Sequence, residues 1–322
     1  MSAHTVLVFA NPTDSYLKLL DELPSETRIV VGNRAEAFTE AAPEADVLLV
    51  GMGGKDAFRA TWPLTKRVCW IHSLSAGIEG LLTPDMIASP VPLTNAAGVF
   101  AWSLGEFAVT SMLYFAKDLP RMLTNQRARR WEQYDVDVLC GKTLGIVGYG
   151  GIGRASAERA KPFGMKIAAL RRRPDRSKDD PLVDEVYTPD RLKELLAISD
   201  YVVVAAALTD QTRGLIGEAE LRAMKPNAVI INLGRGPVIV ESALIRALEE
   251  QWIRGAALDV FDVEPLPSDH VFWGMQNVLL SPHCADHTEG WLEDTMRFFL
   301  RNFERLDSGA PLENVVDKAK GY

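Results

Sequence analysis

Short apolar segments alternate with helical patterns along almost the whole chain, and this alternation limits the fold more than any other feature. The predicted strands are residues 6–10, 28–31, 47–50, 68–71 and 91–93, followed by a second series at 144–147, 166–170, 201–208, 229–233, 256–260 and 278–280. Strands that alternate with helices are typical of parallel sheets joined by crossover helices. We therefore predict an α/β protein with two parallel-sheet domains.

The chain length and the order of these segments predict that one domain is inserted into the other. The 322 residues correspond to about two domains of roughly 150 residues each. A long apolar helix predicted at residues 101–117 opens the second series of strands. The segment after the last strand holds one amphipathic helix, at about 286–306, and is too short for a domain of its own. We expect a first domain of residues 1–100 and 286–322, and an inserted domain of residues 101–285.

The charge and the hydropathy of the chain argue against two classes of partner. The sequence has 35 Lys and Arg against 43 Asp and Glu, which gives a formal net charge of −8. An acidic protein repels the phosphates of nucleic acids and of anionic lipids. The longest apolar run, residues 201–208, is far shorter than the roughly 20 residues of a membrane helix. We therefore expect neither nucleic acid nor a membrane as a partner.

The number of cysteines and the composition of the first twelve residues indicate the cellular compartment of the protein. Cys69, Cys140 and Cys284 are too few for a disulfide framework, and their spacing matches no zinc motif. Such a pattern is typical of a reducing compartment. The first twelve residues, MSAHTVLVFANP, contain no Lys or Arg, and their apolar run is too short for a secretory signal. We expect a cytoplasmic protein without a bound metal.

A glycine-rich turn follows the predicted strand at 144–147 and precedes a predicted helix. The turn is Gly-Tyr-Gly-Gly-Ile-Gly at 148–153. In a dinucleotide-binding turn of this form, Gly148 allows the tight turn, Gly150 lets the backbone approach a pyrophosphate, and Gly153 lets helix and strand pack closely. The backbone N–H groups of Gly151 and Ile152, at the positive end of the helix, would bind the anion. The alternative is a glycine-rich turn without a ligand.

Three arginines follow the next predicted strand, where a site that prefers NAD carries an acidic residue for the ribose. Arg171, Arg172 and Arg173 begin 18 residues after Gly153. A guanidinium can bind a phosphate through two parallel hydrogen bonds. The arginines therefore favour the 2′-phosphate of NADP(H), with NAD(H) as a possible cofactor. The alternative is a solvated cluster of charges on a loop.

Three side chains of complementary chemistry follow later predicted strands. Arg235, Glu264 and His283 each lie just past a strand, and in an open parallel sheet such positions face the ligand crevice. Arg can bind a carboxylate, His can transfer a proton near neutral pH, and a neighbouring Glu stabilises the imidazolium. Together with a nicotinamide they would reduce a 2-oxo acid to a 2-hydroxy acid. Solvated or structural roles remain open for each residue alone, and His72 and His287 are alternative acids.

These motifs resemble those of the D-isomer-specific 2-hydroxyacid dehydrogenase family, and in particular its glyoxylate and hydroxypyruvate reductases. The similarity covers nearly the whole chain and is strongest at residues 141–285. The catalytic residues of the family match Arg235 in Asn-Leu-Gly-Arg-Gly, Glu264 in Asp-Val-Phe-Asp-Val-Glu-Pro, and His283 in Ser-Pro-His. The resemblance implies two Rossmann-like parallel-sheet domains. One is a flavodoxin-like substrate domain, and the other is the inserted NAD(P)-binding Rossmann domain.

The resemblance also implies further contacts to cofactor and substrate. Besides the turn and the arginines, the cofactor contacts implied are Ala206, Thr212, Leu233, Gly234, Arg235, Asp259 and His283. The usual His-x-Pro of the segment around Ala206 is replaced by alanine at 205–207. The substrate contacts implied are Ser75, Ala76, Gly77, Arg235 and His283, with backbone N–H groups of the first three binding the carboxylate.

The sequence therefore predicts an NAD(P)H-dependent reductase of a small 2-oxo acid, such as glyoxylate or hydroxypyruvate, with NADPH preferred. The loop at 73–78 lacks the arginine that phosphoglycerate dehydrogenases use for a phosphate. The alternatives are an NAD-linked D-lactate or phosphoglycerate dehydrogenase, and a cofactor-sensing interaction protein that resembles the family's corepressors. The resemblance further implies a homodimer, with the region around Trp131 as its arm.

Overall fold

The computed structural model describes residues 4–173 and 180–321, and the chain divides into two compact units. Unit 1 comprises Met1–Phe100 and Thr288–Tyr322, and unit 2 comprises Ala101–His287. The strands are β1 (Thr5–Phe9), β2 (Arg28–Gly32), β3 (Val47–Val50), β4 (Trp70–Ser73), β5 (Leu93–Asn95), β6 (Thr143–Val147), β7 (Lys166–Leu170), β8 (Glu185–Tyr187), β9 (Tyr201–Val204), β10 (Val229–Asn232), β11 (Gly255–Leu258) and β12 (Val278–Leu280). The α-helices are α1 (Lys55–Thr61), α2 (Pro84–Ala88), α3 (Ala101–Ala116), α4 (Leu119–Arg127), α5 (Gly151–Ala160), α6 (Leu192–Ile198), α7 (Glu218–Ala223), α8 (Glu241–Glu249) and α9 (Trp291–Asp307).

Unit 1 is built on a parallel five-stranded sheet in the order β2-β1-β3-β4-β5. This is the flavodoxin-like strand order. The central strand β3 reads Val-Leu-Leu-Val and is buried throughout, as expected for a parallel strand covered on both faces. Its residues alternate between two apolar clusters, Leu48 and Val50 on one face and Val47 and Leu49 on the other.

Helix α9 covers the second of these faces. Phe299 stacks on Trp70 of β4, with ring centroids 5.2 Å apart, and Met296, Leu300 and Phe303 complete the apolar contact. The following segment adds to the sheet edge, where Val315 forms an antiparallel bridge with Thr94 of β5. The late part of the sequence thus belongs to the core of unit 1.

Unit 2 is built on a parallel seven-stranded sheet in the order β12-β11-β10-β9-β6-β7-β8. The strand order reverses between β6 and β9, which is where open α/β sheets bind their ligands. Helices α6, α7 and α8 cover one face of this sheet. Helices α3 and α5 pack together at Gly105, where a Cβ atom would lie 2.8 Å from the carbonyl oxygen of Ala155.

The predicted fold class is confirmed, and most strands lie within two or three residues of their predicted positions. Three differences have physical reasons. The apolar run 201–208 leaves the sheet at Val204, because its continuation forms a loop against the glycine-rich turn. Helix α9 begins at Trp291 rather than 286, after Gly290 in a left-handed conformation with φ of 77°. The short elements β8 and α7 have too few residues to give a periodic pattern.

None of the described helices is both long enough and apolar enough to cross a lipid bilayer.

His72 on β4 is a fully buried histidine, so it does not serve as the alternative acid considered from the sequence. Its Nδ1 atom lies 2.7 Å from Oγ1 of Thr94, and its Nε2 atom is buried without a hydrogen-bond partner among the described residues. Burial lowers the pKa of His72 to about 3. The imidazole is therefore neutral in the folded protein near neutral pH.

This burial predicts a pH dependence of stability. Below the ordinary histidine pKa of 6.5, the unfolded chain binds a proton that the folded chain excludes until about pH 3, so stability falls with pH in this window. Between pH 8 and 5 the loss from this residue is about 2 kcal/mol. We expect His72→Leu to reduce the pH dependence of the free energy of urea unfolding. Equal pH dependence in wild type and His72→Leu would show that folding does not lower the pKa of His72.

Candidate functional site

The glycine-rich turn between β6 and α5 has the geometry that the motif predicts. Gly148 has a φ of 98°, in the left-handed region, and a Cβ atom there would lie 2.6 Å from the backbone nitrogen of Ala206. A Cβ atom at Gly153 would lie 2.6 Å from the carbonyl oxygen of Gly148 and 2.8 Å from Cγ2 of Ile146. Both glycines are therefore required by close backbone contacts, as expected for a dinucleotide-binding turn.

The start of helix α5 leaves open space at Gly150. Apart from Gly150 itself and its two chain neighbours, no atom of the described residues lies within 4 Å of where a Cβ atom of Gly150 would be. Helix α5 begins at Gly151, and no side chain within 4–173 and 180–321 caps its first turn. The N–H groups of Gly151 and Ile152 are thus at the positive end of a helix, facing an open space, which suits an anion.

The three arginines lie past the end of β7, beside this turn. The guanidinium carbon of Arg171 is 5.6 Å from the centre of the Tyr149 ring, and Arg172 donates from Nη1 to Oε1 of Gln211 at 2.8 Å. Arg172 and Arg173 are exposed. Sequence reasoning missed Gln211, which no motif singles out. The rest of the basic stretch, residues 174–179, lies outside the described residues.

The segment after β9 brings several predicted cofactor residues together through their backbones. The Ala206 backbone contacts the turn at Gly148, and a Cβ atom at Gly234 would lie 2.7 Å from the Ala206 carbonyl oxygen. Leu233 donates its N–H to Val204 at 2.9 Å. Thr212 behaves differently, since its hydroxyl donates to the Ala207 carbonyl oxygen at 2.6 Å within the same loop. The structure thus gives Thr212 a role in shaping the loop.

Glu264 and His283, which are 19 residues apart in sequence, form a hydrogen-bonded pair. The His283 Nδ1 atom lies 2.7 Å from Oε2 of Glu264, and Oε1 of Glu264 accepts the backbone N–H of Phe261 at 2.9 Å. The imidazole is 40% exposed, so a ligand can reach it. His283 has a φ of 51°, a left-handed conformation that costs about 1–2 kcal/mol for a residue with a Cβ atom.

Asp259 fixes the loop that carries His283. Its carboxylate is buried, and Oδ1 accepts three hydrogen bonds, from the Ser281 hydroxyl at 2.6 Å and from the backbone N–H groups of Cys284 at 3.0 Å and Ala285 at 3.1 Å. The sequence predicted Asp259 as a cofactor contact. The structure shows in addition that it positions the His283 loop, and it identifies Ser281, which was not predicted.

Arg235 follows β10 in an extended conformation. Its Nη1 atom donates to the Gly234 carbonyl oxygen at 2.8 Å, and the Asn232 side chain donates to the Arg235 carbonyl oxygen at 3.1 Å. The next residue, Gly236, lies against the segment after β11, since a Cβ atom there would be 2.0 Å from the carbonyl carbon of Phe261. The loops that carry Arg235 and Glu264 are therefore in direct backbone contact.

The predicted substrate loop belongs to unit 1 and follows β4. Ser75 donates its N–H to the Ser73 hydroxyl at 3.2 Å, and the Asn95 side chain donates to the Ala76 carbonyl oxygen at 2.6 Å. These contacts hold the loop in a defined conformation. Carboxylate binding by Ser75, Ala76 and Gly77 stays a prediction.

Comparison with known proteins gives the same picture. The model of the D-isomer specific 2-hydroxyacid dehydrogenase NAD binding domain matches residues 109–285. A glyoxylate reductase of Thermococcus gammatolerans is 38% identical over 252 residues, which are 75% of this chain and 70% of that protein. A D-isomer specific 2-hydroxyacid dehydrogenase from Xanthobacter autotrophicus Py2, solved with NADPH and MES, is 28% identical with a TM-score of 0.84. An NADPH-dependent glyoxylate/hydroxypyruvate reductase from Sinorhizobium meliloti, solved with NADP and sulfate, is 25% identical with a TM-score of 0.84, and both structures match over 100% of each chain.

The contact at Gly236 predicts a steric test of the site. Gly236→Ala forces its Cβ atom into the backbone of Phe261, so the two loops must separate. Overpacking of this kind costs about 1–3 kcal/mol, and we expect a lower melting temperature. Gly274→Ala is the control, because no atom of the described chain outside its own short helix and its chain neighbours lies within 4 Å of its Cβ position. The same melting temperature for both variants would contradict the described contact.

Proposed function

Because the chain belongs to the D-isomer-specific 2-hydroxyacid dehydrogenase family, whose members are NAD(P)-dependent oxidoreductases, we propose that it reduces a small 2-oxo acid to the D-2-hydroxy acid. Glyoxylate and hydroxypyruvate are the proposed substrates, and NADPH is the preferred cofactor. The observation that carries the proposal is the 2.7 Å pair of His283 and Glu264. This pair lies at the same sheet edge as the dinucleotide turn, because both follow the carboxyl ends of strands in one parallel sheet.

His283 is the proposed acid. A reduced nicotinamide, when bound, would supply a hydride to the carbonyl carbon of the substrate. His283 gives the matching proton from Nε2 to the carbonyl oxygen, so that C=O becomes CH–OH and the imidazole becomes neutral. Glu264 accepts a hydrogen bond from the N–H of Nδ1, so Nε2 is the nitrogen that faces the substrate. The carboxylate of Glu264 also stabilises the imidazolium before the proton is transferred.

Arg235 is the proposed anchor for the substrate. A guanidinium can bind the carboxylate through two hydrogen bonds and polarise the adjacent carbonyl group. The hydrogen bond from Nη1 to the Gly234 carbonyl oxygen restrains the side chain, so less conformational entropy is lost on binding. The loop at 73–78 contains no arginine, which favours an unphosphorylated acid over phosphoglycerate.

The proposed cofactor site extends along the sheet edge of unit 2. The N–H groups of Gly151 and Ile152 would bind the pyrophosphate, and Arg171, Arg172 and Arg173 the 2′-phosphate. The loops after β9, β10 and β11 would line the rest of the cofactor, through Ala206, Leu233, Gly234 and Asp259. The support for NADPH is the arginine cluster, and the NADP-bound reductase of Sinorhizobium meliloti is a structural precedent for the pairing.

The homodimer and the cytoplasmic location stay predictions. Trp131, in the segment predicted to form the dimer arm, is 95% exposed, and Val138 is 53% exposed. An apolar side chain of this size is commonly covered in an assembly. This exposure supports a second copy of the chain as the partner.

Turnover tests the activity and the role of His283 together. We expect the purified protein to oxidise NADPH with glyoxylate or hydroxypyruvate, and His283→Asn to lower kcat/KM by about 100-fold or more, because the general acid is lost. The dissociation constant of NADPH, measured by fluorescence titration, changes little because the phosphates bind elsewhere. Absence of turnover with glyoxylate, hydroxypyruvate, pyruvate and phenylpyruvate, with either cofactor, would refute the enzyme assignment.

Cofactor preference tests the arginines. We expect Arg171→Ala/Arg172→Ala to lower kcat/KM for NADPH by about 10–100-fold, since hydrogen bonds to a charged group contribute about 1.5–3 kcal/mol. The value for NADH changes by less than about threefold, because NADH lacks the 2′-phosphate. Arg191→Ala removes an exposed arginine outside the proposed cofactor contacts and is the control. If NADPH and NADH lose activity equally in the double variant, the arginines do not recognise the 2′-phosphate.

A further inference from the structure

Asp286 is a buried acidic residue that the mechanism above does not use. It follows the loop that Asp259 fixes, and its side chain is only 18% exposed. Its Oδ1 atom is fully buried and accepts no hydrogen bond from the part of the chain that the structure describes. The Nε2 atom of the neighbouring His287 is 3.7 Å from this oxygen, beyond hydrogen-bonding distance.

An unsatisfied carboxylate oxygen is costly to bury. Nearly all buried polar atoms in proteins have a partner, and one without a partner calls for an explanation such as a functional role, a water or an ion. Burial raises the pKa of Asp286, and the charge of Asp259 raises it further. His287 and His283 act in the opposite direction and lower this pKa. Asp259 shows the contrast, since its Oδ1 accepts three donors from the same loop. The fold therefore provides hydrogen-bond donors for Oδ1 of Asp259 and none, among the described residues, for Oδ1 of Asp286.

The strand order indicates which part of a dinucleotide would approach Asp286. The pyrophosphate turn follows β6, and the arginines proposed for the adenosine half follow β7. The other half of the cofactor must then extend across β9, β10, β11 and β12. Asp286 follows β12, on this second side, and it interacts electrostatically with both Asp259 and His283. The nicotinamide must also lie near His283, because hydride and proton add to the same carbonyl group.

We propose that Oδ1 of Asp286 accepts an N–H of the nicotinamide carboxamide. The inference rests on the proposed function, since it requires a nicotinamide cofactor. The carboxamide offers two N–H donors next to the reacting ring, and Cys284 and Ala285 already direct their N–H groups to Asp259. A hydrogen bond to Asp286 fixes the rotation of the nicotinamide ring, and with it the ring face presented to the substrate.

A cofactor analogue isolates this hydrogen bond. The 3-acetylpyridine analogue of NADP⁺ has a methyl group in place of the carboxamide NH₂, so it cannot donate. We expect calorimetric titration of the wild type to give about tenfold weaker binding of the analogue than of NADP⁺, since the hydrogen bond is made to a charged group. In Asp286→Ala the two ligands bind almost equally.

Stability without cofactor separates this role from a structural one. Removing a buried acceptor that has no donor leaves the melting temperature of the cofactor-free protein unchanged or raises it, whereas removing a structural contact lowers it. Asp286→Asn keeps an acceptor oxygen without the charge, so its ligand ratio lies between those of the wild type and Asp286→Ala. It also provides the test if the alanine variant does not fold.

The outcomes distinguish the two proposals. An unchanged ratio of NADP⁺ to analogue binding in Asp286→Ala, with NADP⁺ still bound, overturns the assignment of Asp286 and leaves the proposed function standing. A lower melting temperature of the cofactor-free variants also counts against it. Failure of the wild type to bind either ligand would instead overturn the proposed function.

Discussion

The hydrogen bonds to Asp259 are the interaction on which the candidate site depends. His283 occupies a left-handed backbone conformation, which is unfavourable for a residue with a side chain. The three donors that Ser281, Cys284 and Ala285 direct at one carboxylate oxygen hold the loop in that conformation. Because Asp259 follows β11 directly, the position of the imidazole is set by the sheet rather than by a flexible connection.

The loops after β10, β11 and β12 form one connected group. The backbone at Gly236 contacts Phe261, Phe261 donates to Glu264, and Glu264 pairs with His283. Groups fixed in this way need little rearrangement when charge develops during a reaction, which is the main source of electrostatic catalysis. The proposed chemistry thus uses a geometry that contacts among these three loops set.

The sequence predicted the fold class and the residues that lie at strand ends, because strand periodicity and glycine spacing are local signals. The family was predicted from the resemblance of its motifs. The same local signals predicted the turn at 148–153 and the sheet-edge positions of Arg235, Glu264 and His283. They did not predict Gln211 beside Arg172, Ser281 beside Asp259, or the close contact at Gly236. Each of these depends on two segments far apart in sequence meeting in space. A single sequence has no signal for such contacts.

The position of helix α9 in the chain has a consequence for synthesis on the ribosome. The sheet of unit 1 is complete in sequence by β5, but Phe299, which stacks on Trp70, emerges only after all of unit 2. At about 5–20 residues per second, translation of unit 2 takes roughly ten seconds or more. During that time the face around Val6, Leu49 and Trp70 lacks the apolar side chains of α9 and is available to chaperones. Unit 2 is continuous in sequence and can fold as soon as it is made. Unit 1, whose strands are synthesised first, is therefore the last unit to complete its core.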